Sequence, residues 1–120
     1  MHELSIAEAV LAIALEHAER QRVTSVELRV GHLRQVVPEA LDFAFELVAQ
    51  GTPAEGAQLE LQEVPAEGDC HTCGARSRLP HFPLRCAQCG GLELDIVTGE
   101  ELCVEALELI DEQPVPEETL

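Results

Sequence analysis

The 120-residue chain has no lysine, no tryptophan and no tyrosine, and only three phenylalanines. Without lysine, seven arginines face 23 acidic residues, for a net charge of −16 at neutral pH. A surface of that sign repels phosphate, so broad contact with nucleic acid is excluded. No apolar run approaches the roughly 18 residues that a membrane helix needs. No charged segment followed by an apolar core opens the chain, so nothing points to secretion and the expected location is cytoplasmic, where thiols stay reduced. No glycine-rich phosphate loop, nucleophile–base pair or carboxylate dyad is evident, and the expectation is a protein that is not an enzyme.

Four of the five cysteines form two tight pairs, Cys70-His71-Thr72-Cys73 and Cys86-Ala87-Gln88-Cys89, with twelve residues between the pairs. A CxxC turn puts two sulfurs on one side of a bend, and two such turns can surround one ion with four thiolates. Zn²⁺ accepts that set at roughly 2.3 Å without a d-electron geometry of its own. Gly74 and Gly90 follow the pairs. A positive φ there would let backbone N–H groups turn toward the sulfurs. A disulfide pair suits neither the compartment nor the pattern, and a redox site would want one CxxC at the start of a helix. Spacing alone leaves an iron–sulfur cluster open. A zinc-dependent hydrolase is set aside because four thiolates leave no open coordination position. Cys103, in the apolar run Leu102-Cys103-Val104, reads as a small buried hydrophobe.

The acidity is uneven. Residues 65–98 hold Arg76, Arg78 and Arg85 against Glu67, Asp69, Glu93 and Asp95, so nearly all of the excess lies elsewhere. Solubility is the plain reading; attraction of cations or of a basic partner is the sharper one.

Ser5-Ile6-Ala7-Glu8 reads as a capping box opening a helix over 5–21, with Ile6, Val10, Ile13, Ala14 and His17 or Ala18 at helical spacing. His17 reads as a partly buried core residue, and Glu8, Glu16 and Glu19 as a solvated face. Residues 24–30 alternate, with Val26, Leu28 and Val30 on one face, as in a half-buried strand. His32 follows as a surface or loop residue. Pro38 suits the first turn of a second helix, whose stripe of Leu41, Ala44, Phe45 and Val48 is widened by Phe43 and Leu47. Residues 58–64 alternate again with Leu59 and Leu61 inward. Pro80 and Pro83 preclude a helix between the cysteine pairs, leaving loops and short strands. Residues 101–110 carry apolar side chains on both faces and read as the central, most buried strand. The expected fold is α+β: a small three-stranded sheet with two helices on one face and an inserted four-cysteine zinc-ribbon module. The expected domains are 1–64 with 99–112, then 65–98 for the module, and 113–120 as a disordered acidic tail.

Met1-His2-Glu3 offers a second kind of metal chemistry. The α-amine and the His2 backbone nitrogen close a five-membered chelate ring, and that nitrogen with imidazole Nδ1 closes a six-membered one. Three coplanar nitrogens suit Ni²⁺ or Cu²⁺. A fourth donor could be the Glu3 nitrogen, the Glu3 carboxylate or another histidine. The plain alternative is an ordinary polar start to a helix.

Met1-His2-Glu3-Leu4-Ser5 opening a helix, Pro38-Glu39-Ala40-Leu41-Asp42-Phe43-Ala44-Phe45, Glu55-Gly56-Ala57, the two CxxC pairs and Gly99-Glu100-Glu101-Leu102 come in an order that resembles the HypA family over residues 1–110. The resemblance implies a nickel-incorporation metallochaperone for hydrogenase, and sometimes urease. It implies Ni²⁺ as cargo on Met1, His2 and Glu3, with His2 essential, and a structural Zn²⁺ on Cys70, Cys73, Cys86 and Cys89. The implied partners are a nickel-handling GTPase, the large subunit of [NiFe]-hydrogenase and urease maturation proteins, with a homodimer left open. Some members have histidines beside the CxxC pairs linked to pH sensing; here His71 lies inside the first pair, His81 lies between the pairs, and no histidine follows the second. A zinc-ribbon adaptor for protein interaction is the alternative, which explains the cysteines but not the N-terminus.

Overall fold

Strand β1, Arg22–Gly31, forms where the alternation is strictest. In the computed structural model, which describes residues 2–110, it is the middle strand of a sheet ordered β2-β1-β6. Val23, Val26 and Leu28 are all but inaccessible there. Its neighbours are β2, Gln58–Val64, and β6, Leu102–Ile110. The Gly31 N–H donates to the Glu101 carbonyl at 2.7 Å and the Thr24 hydroxyl to the Glu108 carbonyl at 3.1 Å, so β1 and β6 run antiparallel.

Residues 101–110 are therefore an edge strand, not the central one. The apolar residues on both faces of β6 are exposed or half-buried. Hydrophobicity on two faces is common to a buried strand and to an edge strand covered in part, and strand order decides between them. Cys103 is exposed as well, against the expectation of a buried thiol.

Helix α1 spans His2–Ala18 and buries Ile6, Ala7, Val10, Ala14 and Ala18. It starts three residues before the expected cap. Nothing in His2-Glu3-Leu4 breaks a helix, and Ser5 lies inside it, exposed. His17 is exposed in the last turn, where a polar ring sits better against the helix dipole than in the core. Helix α2, Pro38–Ala49, begins with proline in its first turn and buries Leu41, Ala44, Phe45 and Ala49. Phe43 and Leu47, expected to widen that stripe, are instead 62% and 48% exposed. Helices α1 and α2 pack on each other.

A second sheet, ordered β4-β3-β5, is built from β3, Glu67–Cys70, β4, Arg76–Arg78, and β5, Leu94–Thr98. There is no helix between the cysteine pairs, as the two prolines require. The described chain divides into two compact units: residues 2–27, 37–60 and 104–110, and residues 28–36 with 61–103. The second unit thus takes in the cysteine module together with the end of β1.

Two glycines let backbone approach backbone in that unit. A Cβ on Gly31 would lie 2.0 Å from the Gly99 carbonyl oxygen, although the φ of Gly31, −70°, suits any residue. Gly99 itself has φ +114° and lies against Ala66. The Gly99 N–H donates to the Glu101 carboxylate at 2.7 Å. The backbone N–H groups of Glu101 and Gly99 hold that carboxyl below the ordinary carboxylate value, helped by the charge of Arg29. A carboxyl lowered in the folded state stabilises the fold above its unfolded pKa, and the benefit is lost as pH falls through the lowered value. Glu101→Gln is expected to cost about 1 kcal/mol at neutral pH, discounted for partial exposure. Urea unfolding of both proteins should show that difference at pH 7 and less of it as pH falls through the lowered value, below which both side chains are neutral.

Candidate metal centre

Strand β3 delivers Cys70 at its end, and the chain then turns through Cys73 to Gly74. The Gly74 N–H donates to the Cys70 carbonyl and the Cys70 N–H to the Ala75 carbonyl, both at 2.9 Å. The second pair repeats this: Gly90 N–H to the Cys86 carbonyl and Cys86 N–H to the Gly91 carbonyl, again at 2.9 Å. Gly74 and Gly90 have φ +73° and +74°, the left-handed conformation that glycine adopts without strain. The two turns are thus near-copies, each presenting an inner and an outer sulfur.

The four sulfurs lie within 4.8 Å of one another. Cys70 Sγ is 3.5 Å from Cys89 Sγ, and Cys73 Sγ is 3.6 Å from Cys86 Sγ. Tetrahedral Zn–S bonds of roughly 2.3 Å put adjacent sulfurs about 3.8 Å apart, so the donor set fits a four-thiolate ion with little movement. A Cβ on Gly91 would lie 3.2 Å from Cys89 Sγ and 3.3 Å from Cys70 Sγ, so glycine keeps the approach clear.

Backbone N–H groups prepare two of the sulfurs for charge. Thr72 N–H points at Cys70 Sγ at 3.3 Å and Gln88 N–H at Cys86 Sγ at 3.4 Å. The Cys70 thiol is lowered, chiefly by the Cys73 N–H. The Cys86 thiol falls to about 6 through the Cys89 and Gln88 N–H groups. Cys89 is pushed up to about 12: the Gly91 N–H acts to lower it, but neighbouring thiols, Cys70 first, and burial outweigh that donor. Cys73 is raised too, since Cys86 and burial overcome the Ala75 N–H. Each turn contributes one sulfur ready to ionise and one that holds its proton until a cation displaces it.

Polar side-chain contacts brace the module. Arg76 grips Asp69 with two hydrogen bonds, Nε at 2.8 Å and Nη2 at 3.1 Å, across β3 and β4. His71 Nε2 lies 2.8 Å from Asp95, and Ala87 N–H donates to the Ser77 hydroxyl at 3.1 Å. None of these was read from the sequence, although Asp69 and Arg76 flank one CxxCG turn and that placement could have revealed the first of them. His32 is half-buried in a short 3-10 helix, His32–Arg34, with Nε2 2.9 Å from the Pro80 carbonyl and Nδ1 3.3 Å from Glu63. No pattern in the sequence signals that link.

The proposed nickel ligands stand apart from this quartet in sequence. His2 is the first residue of α1 and is exposed. Glu3 is half-buried, and its carboxylate accepts the Val37 N–H at 3.4 Å, at the start of α2. Met1 lies outside the described residues, as does the expected acidic tail.

Residues 1–109 match the family described as hydrogenase/urease nickel incorporation, metallochaperone, hypA. The chain belongs to the HypA family. A relative from Roseiflexus sp. (strain RS-1) is 47% identical over 118 residues, covering 95% of this chain and 96% of the relative. One from Nostoc punctiforme is 40% identical over 109 residues, covering 91% and 96%. Both are named hydrogenase maturation factor HypA. The solution structure of the Ni metallochaperone HypA from Helicobacter pylori overlays with a TM-score of 0.65 at 21% identity, over 93% of this chain and all of that one, and shows the same fold. HypA proteins are nickel metallochaperones of hydrogenase maturation, and this member carries the four-cysteine metal site. No helix among the described residues is long and apolar enough to cross a membrane.

Proposed function

We propose that this chain carries Ni²⁺ at its N-terminus and delivers it to the large subunit of [NiFe]-hydrogenase, while Zn²⁺ on Cys70, Cys73, Cys86 and Cys89 holds the module in shape. The reading rests on membership of the HypA family together with one observation: His2 opens α1 and is exposed. The first N–H groups of a helix have no intrahelical acceptor, so the backbone nitrogens of His2 and Glu3 are available to a metal. The Met1 amine, those nitrogens and the His2 imidazole form fused chelate rings suited to square-planar Ni²⁺. Because the Glu3 carboxylate is engaged at the Val37 N–H, its backbone nitrogen is the better fourth donor.

In this reading nickel is cargo, and no substrate is chemically transformed. Residues 1–64 with 99–112 form the nickel-binding domain and 65–98 the zinc-binding one. The protein works in the cytoplasm with a nickel-handling GTPase, and with urease maturation proteins where urease is also served; a homodimer is compatible with this role.

The test uses the amine. A chain extended by a few residues before Met1 keeps His2 but loses the α-amine and its five-membered ring. Calorimetric titration should show tight Ni²⁺ binding only for the unextended chain. Equal binding by both would remove the N-terminal site.

A further inference from the structure

The geometry points to a second recognition surface: a groove between α2 and the outer edge of β2 that accepts an extended, basic peptide strand. The groove, about 430 Å³, is lined by Asp42, Phe45, Glu46, Ala49, Gln58 and Leu59, all within one compact unit. Phe45 and Ala49, each 2% exposed, form its floor.

Two features give the groove its chemistry. Strand β2 ends the sheet order β2-β1-β6, so its outer side has no strand beside it among the described residues. An edge of that kind offers a row of N–H and C=O groups to an added strand. The wall opposite is α2, where Asp42 and Glu46 are exposed and one turn apart on one face. The Cβ position of Gly56 meets nothing within 4 Å, so the mouth is open where β2 begins. Main-chain pairing would supply affinity, and the two carboxylates would select Lys or Arg at positions facing the helix.

Charge also decides against the nearest rivals. Two copies pairing β2 to β2 would set Asp42, Glu46 and Glu60 against their own counterparts, since a two-fold interface repeats one patch on both sides. The last ten residues of the chain carry Asp111, Glu112, Glu117 and Glu118 and no cation, so they do not complement the groove. Nearby, Arg22 donates to the Glu55 carbonyl at 2.8 Å. A basic partner strand remains.

The experiment titrates the ¹⁵N-labelled full chain, without nickel, with two labelled peptides of roughly ten residues. One alternates valine and lysine. The other has the same charge but prolines in place of its central valines, so it cannot pair along the edge. The first should bind, shifting amides at 42–49 and 56–60. The proline peptide, and the first peptide against D42K/E46K, should each bind about tenfold more weakly or worse. D42N/E46Q, which removes charge without adding any, should fall between and covers the case in which D42K/E46K does not fold. Absence of binding, equal binding of the two peptides, indifference to either double variant, or shifts confined to other segments would each overturn the proposal. None of these outcomes depends on the nickel reading.

Discussion

His2→Ala is expected to lower Ni²⁺ affinity about 100-fold or more, because losing a ligand should cost at least what losing a supporting contact does. The substitution removes the imidazole and with it the six-membered ring, leaving the amine and peptide nitrogens to hold the ion. His2 is exposed, so the fold should be unchanged by circular dichroism, and metal held by the four cysteines should be retained. The sign of the pH dependence follows from the donors. Binding Ni²⁺ competes with protons for the α-amine and the imidazole, and displaces a proton from peptide nitrogen. Affinity should therefore fall as pH drops, and less steeply for His2→Ala, which has lost the imidazole for which protons compete. Calorimetry in two buffers of different ionisation enthalpy counts those protons. An unchanged affinity for His2→Ala would refute the assignment outright.

Cys86→Ser should abolish tight metal binding at the quartet and unfold residues 65–98. The reason is the scarcity of core in that segment. Its buried apolar side chains are Ala66, Leu79, Cys70 and Cys86, and two of those four are themselves proposed ligands. A stretch of this length has too little apolar surface to fold alone, and a structural zinc supplies roughly 10 kcal/mol or more of apparent binding energy. Serine keeps the volume but does not ionise near neutral pH, so it cannot replace the lowered Cys86 thiol. In ¹⁵N spectra, amides of 65–98 should collapse to random-coil positions while those of α1 and α2, with their own buried faces, stay dispersed. A chelator added to the native protein should give the same spectrum. Dispersed amides in 65–98 after metal removal would show that the strand pairings of β3 suffice without an ion.

The quartet was legible because metal coordination is local: the CxxCG repeat fixes the turns, and the turns fix the sulfurs. Strand β1 was legible because it is central and its alternation answers to burial on fixed positions. The edge strand β6 was misread because its pattern reflects partial cover, which strand order decides and sequence does not display. Phe43 and Leu47 show the same limit on α2, since a stripe states which residues could be buried but not how much surface is available to bury them. Asp69, Arg76 and Asp95 were invisible as partners because their two pairings, Asp69 with Arg76 and Asp95 with His71, depend on β3 registering with β4 and β5.

The duplicated turns have one more effect. In each, the first cysteine is sheltered and the second faces solvent: Cys70 and Cys86 are 3% exposed, while Cys73 and Cys89 are open. A reagent from outside, whether an oxidant, an alkylating agent or a thiophilic metal, meets the second sulfur of each pair before the first. Chemical damage to the module would then begin at two equivalent doors, leaving Cys70 and Cys86 gripping a half-released ion from the protein side.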